Sequence, residues 1–243
     1  MTGAHGKRMG VTIEELAAKY PRLYHMAHVD SWASVKRHGL LSTSRLLDLF
    51  EVNREARVAI ERRRRAGSIA ITHPVYGAAV IRDQKVLSEA KLRSCLEDCT
   101  LETWFRLLNE RVFFWLNLQR LTTFMSAREY RGRLHTVLTI ETEPLVRKYL
   151  TKIRLSSMNS GNTSPFAHPR GLKTFKRMGS YPFAQRLPRG DYYCVVELAV
   201  SGGVPDIGNY ILRVAHARCI NKSIRVERVL FERAAPSRRR LEA

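Results

Sequence analysis

The stretch LYHMAHVDSWASVKRHGL, residues 23–40, contains an apolar strand and a helix in close succession. Residues 23–27 predict the short strand. Ser31 is placed to cap the helix, in which apolar residues recur on one face. We expect the helix to end at Gly39, because glycine is the usual residue just beyond a helix C-terminus. The stretch therefore predicts a strand and a helix joined by a short connection.

His25 lies in the middle of the predicted strand, next to Tyr24. A histidine between apolar neighbours can be a core residue whose hydrogen bonds are satisfied, or it can belong to a site. The residues alone leave both interpretations open.

A second informative stretch is VVELAV, residues 195–200, within a strand predicted over 192–200. Glu197 is a carboxylate in the middle of this apolar strand. Burying it is costly unless it is paired, protonated or placed at a cleft. A neighbouring arginine would make it a structural ion pair, so this residue also has two interpretations.

The remaining elements favour an α+β fold with mainly antiparallel pairing, since strands and helices do not alternate regularly. Thr12 and Glu15 form a capping box at the first helix. Strands are predicted over 112–116 and 136–140. One long helix is predicted over 44–65, and further helices over 88–98, 100–109, 118–126 and 144–150, with regular segments over 207–214 and 223–231.

Residues 156–191 are rich in Ser, Asn, Gly and Pro and predict a long loop, which is usually functional or mobile. Aromatic and basic residues alternate in it, an arrangement that can stack bases and follow phosphates. Alternatively, the aromatic residues fix the loop to the core. The aromatic residues are Phe166, Phe175, Tyr181 and Phe183, and the basic ones are Arg170, Lys173, Lys176, Arg177 and Arg186.

The 243 residues carry 42 Lys and Arg against 22 Asp and Glu, a formal net charge of +20. A pI near 10.5 with clustered arginines is typical of a nucleic-acid-binding protein. Arg62–Arg65 is one such cluster. A solubilising surface, here a solvated helix face, and an anionic small substrate are the alternatives.

Several classes of protein are excluded by simple features. No apolar run approaches the roughly 20 residues of a membrane helix, and the N-terminus has no apolar signal region. The four cysteines are too few for a disulfide scaffold, which favours a reducing, cytoplasmic setting. Cys95 and Cys99 share a helical face but have no second ligand pair, so we expect core thiols and no metal site.

The same stretches resemble the DarT-type ADP-ribosyltransferases. The resemblance rests on Tyr24-His25-Met26 with His38-Gly39-Leu40, the helix containing Ile60–Arg64, the aromatic strand Val112–Leu116, and Val196–Val200 followed by Val204-Pro205. The chain is also similar to an uncharacterised bacterial family related to DarT, through Ile81–Gln84, Met158–Gly161 and His168–Gly171. The implied fold has two packed, mainly antiparallel sheets with flanking helices. The implied organisation is a leader and helix over 1–22, one domain over 23–233 and a basic tail over 234–243.

The resemblance implies roles for individual residues. Glu197 is the expected catalytic carboxylate, and an arginine is expected near the NAD pyrophosphate or the acceptor, with Arg63 and Arg82 as the two candidates. NAD is the expected co-substrate, held by His25, Tyr24, Gly39 and Phe114. The sequence differs from DarT proteins at Asn117–Leu121, where these usually carry a Pro-Arg-Ser-Pro-Met-like segment, so the target base is left open.

The implied acceptor is DNA or RNA. The expected nucleic-acid-binding residues are Arg62, Arg64, Arg170, Lys173, Lys176 and Arg177. The resemblance further implies a monomer, a toxin role and, by analogy, an antitoxin partner. Two other functions remain open: an NAD-using RNA 2′-phosphotransferase, and a non-catalytic nucleic-acid-binding protein on the same scaffold.

Overall fold

The computed structural model describes residues 10–164, 167–183 and 195–234. Its strands are β1 Arg22–His28, β2 Leu40–Leu41, β3 Ile69–His73, β4 Gly77–Ile81, β5 Arg111–Trp115, β6 His135–Glu141, β7 Ile153–Ser156, β8 Glu197–Ser201, β9 Gly203–Val204, β10 Ile211–Ile220 and β11 Ser223–Glu232. Its helices are α1 Ile13–Lys19, α2 Trp32–His38, α3 Thr43–Leu49, α4 Arg54–Arg62, α5 Glu89–Arg93, α6 Leu101–Asn109, α7 Leu118–Met125 and α8 Thr142–Tyr149.

One seven-stranded sheet dominates the fold, with the order β11-β10-β6-β1-β5-β8-β7. Every neighbouring pair in it is antiparallel. The expected α+β class is therefore confirmed. The expected pair of packed sheets is not observed in the described residues, where two strand pairs, β2 with β9 and β3 with β4, accompany the large sheet.

The large sheet is nearly divided in its middle. β1 pairs with β6 along seven residues, whereas β1 pairs with β5 through a single pair, Tyr24 opposite Trp115. The sheet therefore consists of two halves, β11-β10-β6-β1 and β5-β8-β7, joined at that pair. Separation of the strands beyond it makes room for a cleft.

The first helix belongs to the main core. Thr12 accepts from the backbone of Glu15 and Glu15 accepts from the backbone of Thr12, so the predicted capping box is confirmed. Leu16 is fully buried in the largest apolar cluster, together with residues of β1, β6 and β8. The part of the expected leader that the structure describes thus packs on the domain.

The prediction of one long helix over 44–65 is wrong, because the structure has two helices there. α3 ends before Glu51, whose backbone has φ 51°, and Asn53 caps α4 by accepting from the backbone of Ala56. The helical spacing of apolar residues continues across this break, so the pattern predicted one helix where the structure has two. The short strand β7 was also missed, since the adjoining loop is so rich in turn residues.

The start of the last predicted strand differs from expectation as well. β8 begins at Glu197 instead of 192, and residues 192–194 lie outside the described residues. Apart from Ala234, the expected basic tail also lies outside them. In the described part of the chain, no helix is long and apolar enough to span a bilayer.

Candidate active site

A cleft opens where β1 and β5 separate. It is lined by residues of both strands, by the first residue of β8 and by residues 79–84, 86–87 and 159–161. His25, Gly39, Arg82 and Glu197 all line it. Four residues that were predicted from distant parts of the sequence therefore meet at one place.

Glu197 is the first residue of β8, opposite Trp115 on one side and Ser156 on the other. Only 3% of its surface is exposed. Ser160 donates to its Oε2 twice, from the backbone nitrogen at 3.0 Å and from Oγ at 2.6 Å. Both bonds use one oxygen, so Oε1 is not engaged by Ser160.

Burial raises the pKa of Glu197 to about 7, against the hydrogen bonds from Ser160 and the charge of Arg170, which lower it. Burial disfavours the charged form of a carboxyl, and donated hydrogen bonds favour it. A carboxyl with a pKa near neutrality at the wall of a cleft is typical of a catalytic acid or base.

Arg170 holds the loop that contacts Glu197. It is 2% exposed, and its Nη1 donates to the carbonyls of Ser160 at 3.1 Å and Asn162 at 2.9 Å. Its Nε donates to the carbonyl of His168 at 3.0 Å. This corrects the expectation that Arg170 binds nucleic acid, because a buried guanidinium bonded to backbone carbonyls cannot reach a phosphate at the surface. Its position fixes Ser160 under Glu197.

His25 bridges the gap between the two halves of the sheet. Burial lowers its pKa to about 4, although the hydrogen bond to Phe113 raises it, so the ring is neutral at neutral pH. Its Nδ1 lies 2.8 Å from the carbonyl oxygen of Phe113, which can only accept. Nδ1 therefore carries the proton, and Nε2 is left as an acceptor.

Arg82 is a cation of the cleft that has a buried hydrogen-bond donor without a partner in the described part of the chain. Its Nη1 donates to the carbonyl of Met26 at 2.9 Å, and its guanidinium carbon lies 4.5 Å from the ring centre of Tyr130. Nη2 is buried and has no hydrogen-bond partner among the described residues. Burial lowers the pKa of Arg82. Buried donors without a partner are rare in proteins, and this one belongs to a residue that lines the cleft.

Arg65 is a buried arginine that holds the backbone of Arg82 and was not predicted as a site residue. Arg65 donates from Nε to the carbonyl of Arg82 at 2.9 Å and from Nη1 to Asn109 Oδ1 at 2.8 Å. Arg63, the alternative candidate, is exposed and does not line the cleft. It follows the last residue of α4, where the chain is already extended. The structure therefore brings Arg82, and not Arg63, to the site.

Two of the four residues expected to bind NAD do not line the cleft. Phe114 is fully buried in the main core, while Phe113 and Trp115 on either side of it line the cleft. Tyr24 packs in another apolar cluster. Side chains alternate between the two faces of a strand, so a match of consecutive residues cannot place all of them in one site.

Gly39 is required by the backbone. It has φ 83°, and a Cβ at this position would lie 2.2 Å from the carbonyl oxygen of Pro205. Only glycine allows β2 to approach β9 this closely. Gly39 thus shapes one wall of the cleft.

The other expected nucleic-acid-binding residues lie in different environments. Arg62 is exposed and lies 3.8 Å from Glu102, and Arg64 donates to the carbonyls of Lys85 and Leu87. Lys173, Lys176 and Arg177 are exposed.

The aromatic residues of the long loop are core residues where the structure describes them. Phe175 and Tyr181 are buried, and Phe183 packs against the main core. The rings of Phe175 and Tyr181 are therefore not available to stack on bases, and these residues fix the loop to the core, as the alternative interpretation has it. Phe166 and Arg186 lie outside the described residues.

Cys95 and Cys99 pack in the apolar cluster around α5 and α6. Within residues 10–164, 167–183 and 195–234, no three His, Cys, Asp or Glu side chains are grouped so that they could hold a metal ion.

Ser160, Tyr130 and Arg65 line the cleft but were not predicted as site residues. Met158–Gly161 entered only as part of the resemblance, and no sequence signal pairs Ser160 with Glu197. Arg65 differs from its three neighbouring arginines only in burial.

The chain belongs to a family of unknown function, designated DUF7002, whose model matches residues 21–211. The match spans the cleft residues from His25 to Glu197. No curated protein matches the chain.

Proposed function

We propose that this member of the DUF7002 family is an NAD-dependent mono-ADP-ribosyltransferase that modifies a base of DNA or RNA. The observation that carries the proposal is that His25 and Glu197, far apart in the sequence, line one cleft. These are the residues that a likeness to DarT proteins would make functional. NAD would supply the ADP-ribosyl group, and nicotinamide would be released.

The chemistry of the cleft fits NAD. Nη2 of Arg82 is a buried donor with no described partner, which suits the negatively charged pyrophosphate. Nε2 of His25 is an acceptor fixed by the bond from Nδ1 to Phe113, which suits a ribose hydroxyl. The cleft thus offers a cationic group and a neutral acceptor, each held by the backbone.

Glu197 has the properties that cleavage of a glycosidic bond requires. Positive charge develops on the ribose in such a reaction, and a fixed carboxylate stabilises it. Ser160 fixes the carboxylate through Oε2. With a pKa near 7, Glu197 can also accept a proton from the attacking group of the acceptor at neutral pH.

The proposal that the acceptor is a nucleic acid rests on the net positive charge of the chain. A net charge of +20 supplies the counterion release that holds a polyanion without reading its sequence. A base has to leave the stack to reach the ribose carbon in a cleft.

The test is incubation with labelled NAD and separate pools of single-stranded DNA, duplex DNA, RNA and protein. We expect label on one nucleic-acid pool and none with Glu197→Gln. Label on protein alone, or on no pool, would overturn the proposal.

An NAD-using RNA 2′-phosphotransferase is the second candidate, because three arginines, Arg65, Arg82 and Arg111, line the cleft. That reaction is not expected to need Glu197. Loss of the phosphate from a 2′-phosphorylated RNA with NAD, at the same rate in Glu197→Gln, would support it.

A further inference from the structure

The β10–β11 hairpin ends one edge of the large sheet. β11 pairs with β10 on one side, and eight of its ten residues are exposed. Val226, Val229 and Phe231 are three of the seven large apolar side chains that are exposed in the described part of the chain. An edge strand with exposed apolar residues is a surface available to a partner.

The hairpin and the turn beside it are strongly basic. Arg225 and Arg228 on β11 are exposed, and so are Arg131 and Arg133 on the turn after α7. Arg218 on β10 lies directly opposite Arg225. We call these five arginines the hairpin surface.

The pairing of Arg218 with Arg225 is unfavourable without a partner. Like charges directly opposite each other destabilise an antiparallel pair. Glu227 lies 2.9 Å from Nε of Arg218 and offsets one of the two charges. A bound polyanion would relieve the remaining repulsion.

The hairpin surface continues to the wall of the cleft. The backbone nitrogen of Gly132 donates to the carbonyl of Cys219 at 3.0 Å, which ties the turn to β10. Tyr130, two residues before Gly132, lines the cleft and packs against Arg82. A chain lying on this surface is therefore led toward the site.

We propose that the hairpin surface binds the sugar–phosphate backbone of a single-stranded nucleic acid and directs it to the cleft. The inference rests on the proposed function for the role of that strand as acceptor. Arginine binds phosphate through two parallel hydrogen bonds, and a ten-residue strand is about 33 Å long, enough to contact several phosphates. The apolar residues between the arginines offer contacts to unstacked bases.

The experiment compares two triple variants that each remove three positive charges. One is Arg133→Gln, Arg225→Gln, Arg228→Gln on the hairpin surface. The matched control is Arg54→Gln, Arg93→Gln, Lys148→Gln, at exposed positions on α4, α5 and α8. Affinity for a 20-nucleotide single strand is measured without NAD as a function of salt, with vesicles of anionic lipid as a second probe.

We expect the hairpin variant to bind the single strand at least tenfold more weakly at 0.1 M salt. The slope of log affinity against log salt should fall by about 2, since each phosphate contact contributes about 0.7. The control variant should keep most of the affinity and the slope. Equal losses in both variants, no binding by the wild type, or binding to vesicles alone would overturn the inference.

The same variants separate this inference from the proposed function. If the wild type binds the strand through the hairpin surface but transfers no ADP-ribose, the proposed function is wrong and the inference about the hairpin surface is kept. If transfer occurs and the hairpin variant binds and transfers like the wild type, the inference about the hairpin surface is wrong and the proposed function is kept.

Discussion

Ser160 donates two hydrogen bonds to a single oxygen of Glu197, one from its backbone nitrogen and one from its hydroxyl. The bonds stabilise the ionised carboxyl in a buried place where it would otherwise be protonated. Arg170 fixes Ser160 from the other side through the Ser160 carbonyl. The ionisation of Glu197 therefore depends on its burial and on a loop that lies far from it in the sequence.

Ser160→Ala should raise the pKa of Glu197 further above about 7, because it removes the hydroxyl donor of the charged form. A hydrogen bond to a charged group is worth about 1.5–3 kcal/mol, which corresponds to about one to two pH units. The lower limb of the pH–rate profile for nicotinamide release should move up by that amount. Ser157→Ala, at an exposed position nearby, is the control. An unmoved limb in Ser160→Ala would contradict the role of the hydroxyl.

Glu197→Gln should make stability less dependent on pH. The folded pKa of about 7 lies above the ordinary 4.5, so the carboxyl contributes most below pH 4.5 and loses that contribution as pH rises to 7. The wild type should lose about 3 kcal/mol relative to Glu197→Gln between pH 4 and 8. Urea unfolding at both pH values measures the difference. Glu55→Gln, at an exposed position, keeps Glu197 and should therefore retain the pH dependence of the wild type.

His25→Ala should weaken NAD binding about tenfold, because it removes an acceptor whose orientation the Phe113 carbonyl fixes. Isothermal titration calorimetry measures the dissociation constant. Tyr24→Phe is the matched control, since Tyr24 is adjacent on β1 but does not line the cleft. Equal affinity of His25→Ala and wild type would remove His25 from the site.

Arg82→Lys should weaken binding of inorganic pyrophosphate and of NAD at least tenfold, although the charge is kept. Lysine lacks the planar fork that reaches both the Met26 carbonyl and an anion. Arg63→Lys should leave both affinities unchanged, because Arg63 is exposed outside the cleft. If the two variants exchange these effects, Arg63 is the anion-binding residue.

Local chemistry made much of the fold predictable from the sequence. The capping box at Thr12, the glycine after α2 and the apolar runs of β5 and β6 each depend on residues close together in the chain. The break at Asn53 was missed because apolar spacing continues across it. The single large sheet was missed because it depends on one pair, Tyr24 with Trp115, between strands distant in sequence.

From the residues alone, Glu197 was the clearest site candidate, whereas Gly39 and Arg82 were expected there only through the resemblance to DarT proteins. Glu197 stood out as a carboxylate in an apolar strand, and the structure places it in the cleft. Arg170 looked like its many basic neighbours, and burial alone distinguishes it. The choice between Arg63 and Arg82 depended on where α4 ends and on which side chains are buried, and neither can be read from composition.

Under the proposed function, Glu197 performs the transfer while other residues hold NAD. The most direct measurement is the rate of ADP-ribose transfer from labelled NAD to nucleic acid by Glu197→Gln, with NAD affinity measured by calorimetry on the same sample. We predict a rate at least about 100-fold below the wild type with NAD affinity within threefold of it. Transfer at the wild-type rate by Glu197→Gln would show that Glu197 is not the catalytic carboxylate.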